Sequence, residues 1–81
     1  MKVSVRPFAV LRELLGGKIL EVEVPQGTTV AGLWEHLAHG DSRLIPFNNS
    51  VNFAINSNFV TRETELCADD EVVFLPPVSG G

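Results

Sequence analysis

The residues with the clearest chemical potential are the last two, Gly80 and Gly81. Because glycine has no side chain, a nucleophile or a phosphate can approach the terminal carboxylate with little steric hindrance. A carboxylate is a poor electrophile, but joining it to AMP gives a mixed anhydride, from which sulfur can displace AMP to leave a thiocarboxylate. The pattern therefore predicts a reactive carboxyl terminus, and the alternative is an end that is simply frayed.

The residues before the two glycines favour a stiff exit from a folded domain. Pro76 and Pro77 prefer an extended polyproline backbone and donate no backbone hydrogen bond, and Val78 and Ser79 follow them. Six extended residues reach about 20 Å. We therefore predict a folded domain over residues 1–75 and an extended tail over residues 76–81 that enters a narrow channel of another protein.

The patterns of apolar residues upstream predict the elements that must position this tail. Alternation with a period of two predicts strands over residues 2–6, 19–24, 51–55, 59–60 and 71–75. A short helix is predicted over residues 9–15, and a longer helix is predicted to begin at Thr28 or Thr29 and to end near Gly40. Residues 41–50 carry weak signals and are predicted to be a loop.

The longer helix has a stripe of apolar residues that indicates its buried face. Val30, Leu33 and Leu37 recur at helical spacing, with Trp34 beside them. The order of elements predicts an α+β fold of the β-grasp (ubiquitin-like) type, a mixed sheet with one main helix across one face. The first and last strands are then expected to be central neighbours.

The phase of the strands predicts an exposed apolar patch near the root of the tail. If Val3 and Val5 face the core, Phe8 falls on the outward side, and the last strand turns Leu75 outward in the same way. Phe59 follows a predicted turn. Exposed apolar patches mark partner sites, so we expect these three side chains to bind a partner. The alternative is that one or two of them fold over the end of the sheet.

Charge and composition narrow the class of partner. A net charge of −4 in 81 residues disfavours nucleic acid and anionic membranes, and a partner with a basic face is expected instead. No apolar run approaches the roughly 20 residues that span a bilayer, and the N-terminus does not have the pattern of a signal peptide. With one cysteine, no internal disulfide is possible, so a cytoplasmic location is expected.

Several short motifs resemble the small subunit of molybdopterin synthase. Residues 8–13, Phe-Ala-Val-Leu-Arg-Glu, are similar to the F-A-x-L-R-E opening of that family, and residues 54–60 are similar to its V-N-x-x-x-V stretch. Residues 69–72 resemble its G-D-E-V turn, with Asp69 in place of glycine. Residues 76–81, Pro-Pro-Val-Ser-Gly-Gly, match its ending. The resemblance covers essentially the whole chain.

The resemblance implies a sulfur carrier that works as one subunit of a heterotetrameric synthase and binds no cofactor itself. A ubiquitin-activating-like adenylyltransferase would use ATP to adenylate Gly81, and sulfur transfer would give the thiocarboxylate. The large synthase subunit would receive the tail, and the sulfur would build the dithiolene of molybdopterin. Phe8, Phe59 and Leu75 would then contact the partners, while Arg12 either contributes or forms a salt bridge to a nearby carboxylate.

Other candidate sites and functions have less support in the sequence. Cys67 has no neighbouring histidine or cation in the sequence and is expected to be a buried or half-buried thiol. His36 and His39 lack a third metal ligand in register. The acidic residues between Glu63 and Glu71 are expected to form a solvated turn, or else a docking site for a basic partner. The alternative functions are a carrier for thiamine thiazole or another sulfur-requiring pathway, and a non-covalent ubiquitin-like interaction module.

Overall fold

The computed structural model describes residues 1–77, which form one five-stranded sheet with a helix across one face. In chain order the elements are β1 (Lys2–Pro7), α1 (Ala9–Leu14), β2 (Leu20–Glu23), α2 (Val30–Gly40), a 3₁₀ helix (Ser42–Phe47), β3 (Asn52–Ile55), β4 (Asn58–Val60) and β5 (Glu71–Leu75). In this part of the chain, no helix has both the length and the apolar character needed to cross a membrane.

The strands lie in the order β2-β1-β5-β3-β4. β1 and β5 are parallel, whereas the other neighbouring strands are antiparallel. The first and last strands are therefore adjacent and central, as the sequence predicted, and the β-grasp fold is confirmed. A central last strand means that the chain leaves the sheet from its middle and not from an edge.

Local sequence explains how α2 begins and which face it buries. The Thr29 side chain accepts a hydrogen bond from the backbone N–H of Gly32 at 3.1 Å, which satisfies one of the free donors at the start of the helix. Val30, Leu33 and Trp34 are buried, as is Ala38. The predicted stripe is confirmed at its first two positions, but Leu37 is only half-buried, because Trp34 and Ala38 turn the buried face toward them.

The core is centred on three aromatic rings. Trp34 of α2 packs edge-to-face on Phe74 of β5 and Phe53 of β3, with ring centroids 5.2 and 6.0 Å apart, and the two phenylalanines lie 5.4 Å from each other. The indole N–H of Trp34 donates to Oδ1 of Asn48 at 2.7 Å, so the ring is buried without losing its hydrogen bond. These contacts fix α2 on the inner face of the sheet.

The predicted loop over residues 41–50 is wrong, because it contains the 3₁₀ helix. Asp41 accepts a hydrogen bond from the backbone N–H of Arg43 at 3.0 Å and so caps the first turn. Leu44 is fully buried and anchors the segment to the core. Arg43 also donates to the carbonyl of Leu14 at 2.9 Å, which ties the segment to α1.

Candidate partner-binding surface at the root of the tail

Residues that alternate with the core positions form the outer face of the sheet, opposite α2. Phe8 follows β1 in the same phase, and its N–H donates to the carbonyl of Phe74 at 3.0 Å, which places Phe8 beside Leu75. On the neighbouring strands, Val73 lies opposite Ala54, and Ala54 lies opposite Phe59. We call Phe8, Ala54, Phe59, Val73 and Leu75 the apolar surface.

The larger members of the apolar surface are not fully covered by the domain, whereas Ala54 is only 8% exposed. Phe59 is 78% exposed and Phe8 is 44% exposed, while Leu75 and Val73 are half-buried. Leu75 and Phe59 are two strands and two residues apart, about 12 Å between Cα atoms by ordinary sheet spacing. Val73 and Ala54 fill that gap, so the three residues singled out from the sequence lie on one continuous face. Ala54 was not predicted to lie on this face, because it carries no signal apart from its phase.

The chain leaves the sheet directly from this surface. β5 ends at Leu75, and Pro76 and Pro77 follow, the first half-buried and the second exposed. Because β5 is central, these prolines begin beside Phe8 and Leu75. The last four residues lie outside the described part of the chain. They are Val78, Ser79, Gly80 and Gly81, which were predicted from the sequence to enter the partner and to form the reactive end.

Ala9, the first residue of α1, has an unusual backbone conformation that the sequence did not reveal. Its φ is +52°, a left-handed conformation that costs an L-residue roughly 1–2 kcal/mol. The turn lets the chain leave β1 sharply, so that Phe8 keeps its strand-like place on the outer face while α1 begins one residue later. Such strained positions concentrate at functional sites.

The turn before β5 contains Cys67, whose predicted burial is wrong, and Asp69, whose conformation is unusual. Cys67 is exposed, not buried, because its backbone N–H is held by the Asp70 carboxylate at 2.8 Å and its carbonyl accepts from the Asp70 N–H at 3.1 Å. This turn directs the Cys67 side chain away from the core, whereas Leu66 beside it is buried. Asp69 has a φ of +67°, a left-handed conformation that glycine adopts freely and that Asp tolerates better than most residues.

Two side chains of the acidic segment between Glu63 and Glu71 make polar contacts within the domain. Asp70 caps the turn through Cys67, and Glu71 contacts Arg6, with 3.3 Å between Oε1 and Nε.

His36 and His39 are exposed on α2. Across residues 1–77, no three histidine, cysteine, aspartate or glutamate side chains come close enough together to hold a metal ion.

Comparison with known proteins agrees with this geometry. Residues 5–81 match the ThiS family. The molybdopterin synthase sulfur carrier subunit of Escherichia coli is 36% identical over 81 residues, covering 98% of this chain and 99% of that protein. A putative molybdopterin converting factor subunit 1 from Pyrococcus furiosus superimposes with a TM-score of 0.84 at 31% identity, covering 96% of this chain and 99% of that one.

A second solved structure has the same fold but is named as a protein modifier and not as a sulfur carrier. The small archaeal modifier protein 1 from Methanosarcina acetivorans superimposes with a TM-score of 0.80 at 32% identity, covering 99% of this chain and 96% of that one. The chain therefore belongs to the ThiS family and shares its fold and nearly its whole length with molybdopterin synthase sulfur carrier subunits.

Proposed function

We propose that this chain is the sulfur carrier of molybdopterin synthase and that Gly81 carries the sulfur. A ubiquitin-activating-like adenylyltransferase joins the Gly81 carboxylate to the α-phosphate of ATP, and pyrophosphate leaves. Sulfide attacks the carbonyl carbon and displaces AMP to give the thiocarboxylate directly. Where the donor is an enzyme persulfide, its terminal sulfur displaces AMP to give an acyl disulfide, and a thiol then reduces the S–S bond, which releases the thiocarboxylate and leaves the thiol and the donor cysteine joined as a disulfide. The product is a terminal thiocarboxylate.

The observation that carries this proposal is the position of the uncovered apolar surface at the point where the chain leaves the sheet. Phe8 and Leu75 flank the start of the tail, and Phe59 extends the surface across two more strands. A partner that covers this surface is therefore positioned to receive the residues beyond Pro77. The curated relative from Escherichia coli, which matches over nearly its whole length, supports the same role.

In this proposal the large synthase subunit covers the apolar surface and takes the thiocarboxylate into its own active site. The sulfur becomes part of the dithiolene of molybdopterin, made from a cyclic pyranopterin precursor. The carrier binds no cofactor, and ATP is consumed at the activating enzyme. We place the reaction in the cytoplasm, where ATP for the activating step is available.

The archaeal modifier protein suggests a second candidate function. An adenylated or thioester-linked Gly81 is also open to attack by an amine, which would join the chain to a lysine of another protein. The activation step is shared, so the two functions differ only in the nucleophile. A carrier for thiamine thiazole or another sulfur-requiring pathway shares even the thiocarboxylate and differs in the acceptor.

Reconstitution separates these functions. The full chain and a variant that lacks Gly81 are each combined with the activating enzyme, ATP, a sulfur donor, the large subunit and the pyranopterin precursor, and molybdopterin is measured by oxidation to a fluorescent pterin. We expect molybdopterin from the full chain and none from the shortened chain, with equal melting temperatures. Isopeptide-linked adducts without molybdopterin would favour the modifier function. The absence of both products would refute both the sulfur-carrier and the modifier function.

A further inference from the structure

Half of the basic side chains of this acidic protein line one cleft. The chain has six lysines and arginines and a net charge of −4. Arg6, Arg12 and Lys18 surround a cleft of about 280 Å³ where the end of β1, the start of α1 and the loop before β2 meet. The cleft is also lined by Pro7, Phe8, Ala9, Gly17 and Ile19. Such a concentration of one charge attracts anionic groups.

The fold neutralises little of this charge. Arg6 contacts Glu71, but both side chains are nearly half exposed, and exposed pairs of this kind contribute at most about 1 kcal/mol. Arg12 forms no ion pair with any side chain in residues 1–77, so the salt bridge considered for it from the sequence is absent from the described part of the chain. Lys18 is also unpaired there.

The cleft is continuous with the apolar surface. Phe8 belongs to both, and Arg6 lies opposite Val73 on the neighbouring strand. Ile19, which precedes β2 and is 50% exposed, lines the cleft together with Arg6. A protein that covers Phe8 therefore meets the three cations along the same edge of its footprint.

We propose that this cleft binds carboxylate side chains of the large synthase subunit and orients that subunit on the apolar surface. The inference rests on the proposed function, because it takes the large subunit as the protein that covers Phe8. Arginine holds a carboxylate through paired N–H groups, and a small cleft with two arginines and a lysine suits one or two aspartate or glutamate side chains. The contact adds orientation and association rate to the affinity that the apolar surface supplies.

The test is the affinity of the carrier for the large subunit, measured by calorimetry at low and high salt, roughly 0.05 and 0.5 M. The variants are Arg12→Gln, Lys18→Gln and their combination. The matched control is Lys2→Gln, because Lys2 is an exposed cation on β1 that lies outside the cleft. We expect the combined variant to bind about tenfold more weakly at low salt, with a flatter salt dependence, and the control to bind like the wild type.

Equal losses from the control and the cleft variants would overturn the proposal, because net charge alone would then explain them. Unchanged affinity in the combined variant would also overturn it, as would tight binding of inorganic phosphate to the isolated carrier at the cleft. Melting temperatures establish that each variant is folded. If the wild type neither binds the large subunit nor forms a thiocarboxylate, the proposed function fails. If the wild type does both, and the cleft variants bind the large subunit as tightly as the wild type does, this inference alone fails.

Discussion

The two faces of the sheet use the same kinds of residue in opposite ways. On the inner face, Phe53 and Phe74 are buried against Trp34 of α2. On the outer face, Val73 of β5 is half-buried and Phe59 of β4 is 78% exposed. Since α2 covers only one side, apolar side chains on the other side gain little from folding. In the proposed function, a second protein buries them.

This difference separates stability from binding. Inner-face side chains lose contact with water when the chain folds, so their removal lowers the free energy of unfolding. Outer-face side chains lose contact with water only when a partner arrives, so their removal changes affinity instead. The following variants test that separation, beginning with the largest expected effect.

Replacing Phe74 with Ala tests the inner face. Phe74 is fully buried between Trp34 and Phe53, so we expect the free energy of unfolding to fall by about 3–5 kcal/mol, measured by urea denaturation. A small domain has little stability in reserve, so this loss leaves part of the population unfolded at room temperature. A loss below about 1 kcal/mol would contradict the account of the core.

Replacing Phe59 with Ala tests the outer face. The free energy of unfolding should change by no more than about 0.5 kcal/mol, because the ring is mostly in water. Affinity for the large subunit, measured by calorimetry, should fall about tenfold or more if the ring is a central anchor of the interface. The control is Ile45→Ala, since Ile45 is 53% exposed but lies on the 3₁₀ helix, away from the apolar surface. Equal effects of the two variants on affinity would refute the assignment of the surface.

Replacing Asp69 with Gly tests a position that belongs to neither face. Its φ of +67° suits glycine, so the variant should gain up to about 1 kcal/mol in the free energy of unfolding, less the extra entropy of glycine in the unfolded chain. Affinity for the large subunit should not change. A net loss of stability would mean that the Asp69 side chain makes a stabilising contact that outweighs the backbone strain.

The smallest expected effect concerns Asp41 and Arg43. The hydrogen bonds from the Arg43 side chain, and then from its backbone, lower the pKa of Asp41 below its ordinary value of 3.8. Because the pKa is lower in the folded state, the pair contributes stability above the unfolded pKa and loses it as the pH falls through the folded pKa. Arg43→Ala should raise the pKa of Asp41 toward its ordinary value, as followed by NMR of the carboxyl carbon. An unchanged pKa would show that the pair does not form in solution.

Much of this architecture could be predicted from the sequence, because alternation and helical spacing record which face is buried. The period-two pattern around Val3 and Val5 placed Phe8 on the outer face, and the Asn56-Ser57 turn, with φ of +52° and +69°, placed β4 against β3. The resemblance to molybdopterin synthase small subunits was visible in the sequence motifs, above all in residues 76–81, and the relative from Escherichia coli agrees with it.

What escaped prediction depends on individual contacts that leave no periodic pattern in the sequence. The 3₁₀ helix is held by the burial of Leu44 and by Arg43 reaching the carbonyl of Leu14, and neither leaves a periodic pattern. The exposure of Cys67 follows from its hydrogen bond with Asp70. The basic cleft arises because α1 and the loop before β2 fold back on the end of β1, which brings Arg12 and Lys18 to Arg6.

The central claim is that Gly81 supplies the reactive carboxyl group, and intact-mass spectrometry tests it most directly. After incubation with the activating enzyme, ATP and a sulfur donor, the chain should gain about 16 Da, the difference between sulfur and oxygen. The gain should be absent without ATP and should localise to the C-terminal peptide. A chain that keeps its original mass under conditions in which the same enzyme converts a known carrier would contradict the account.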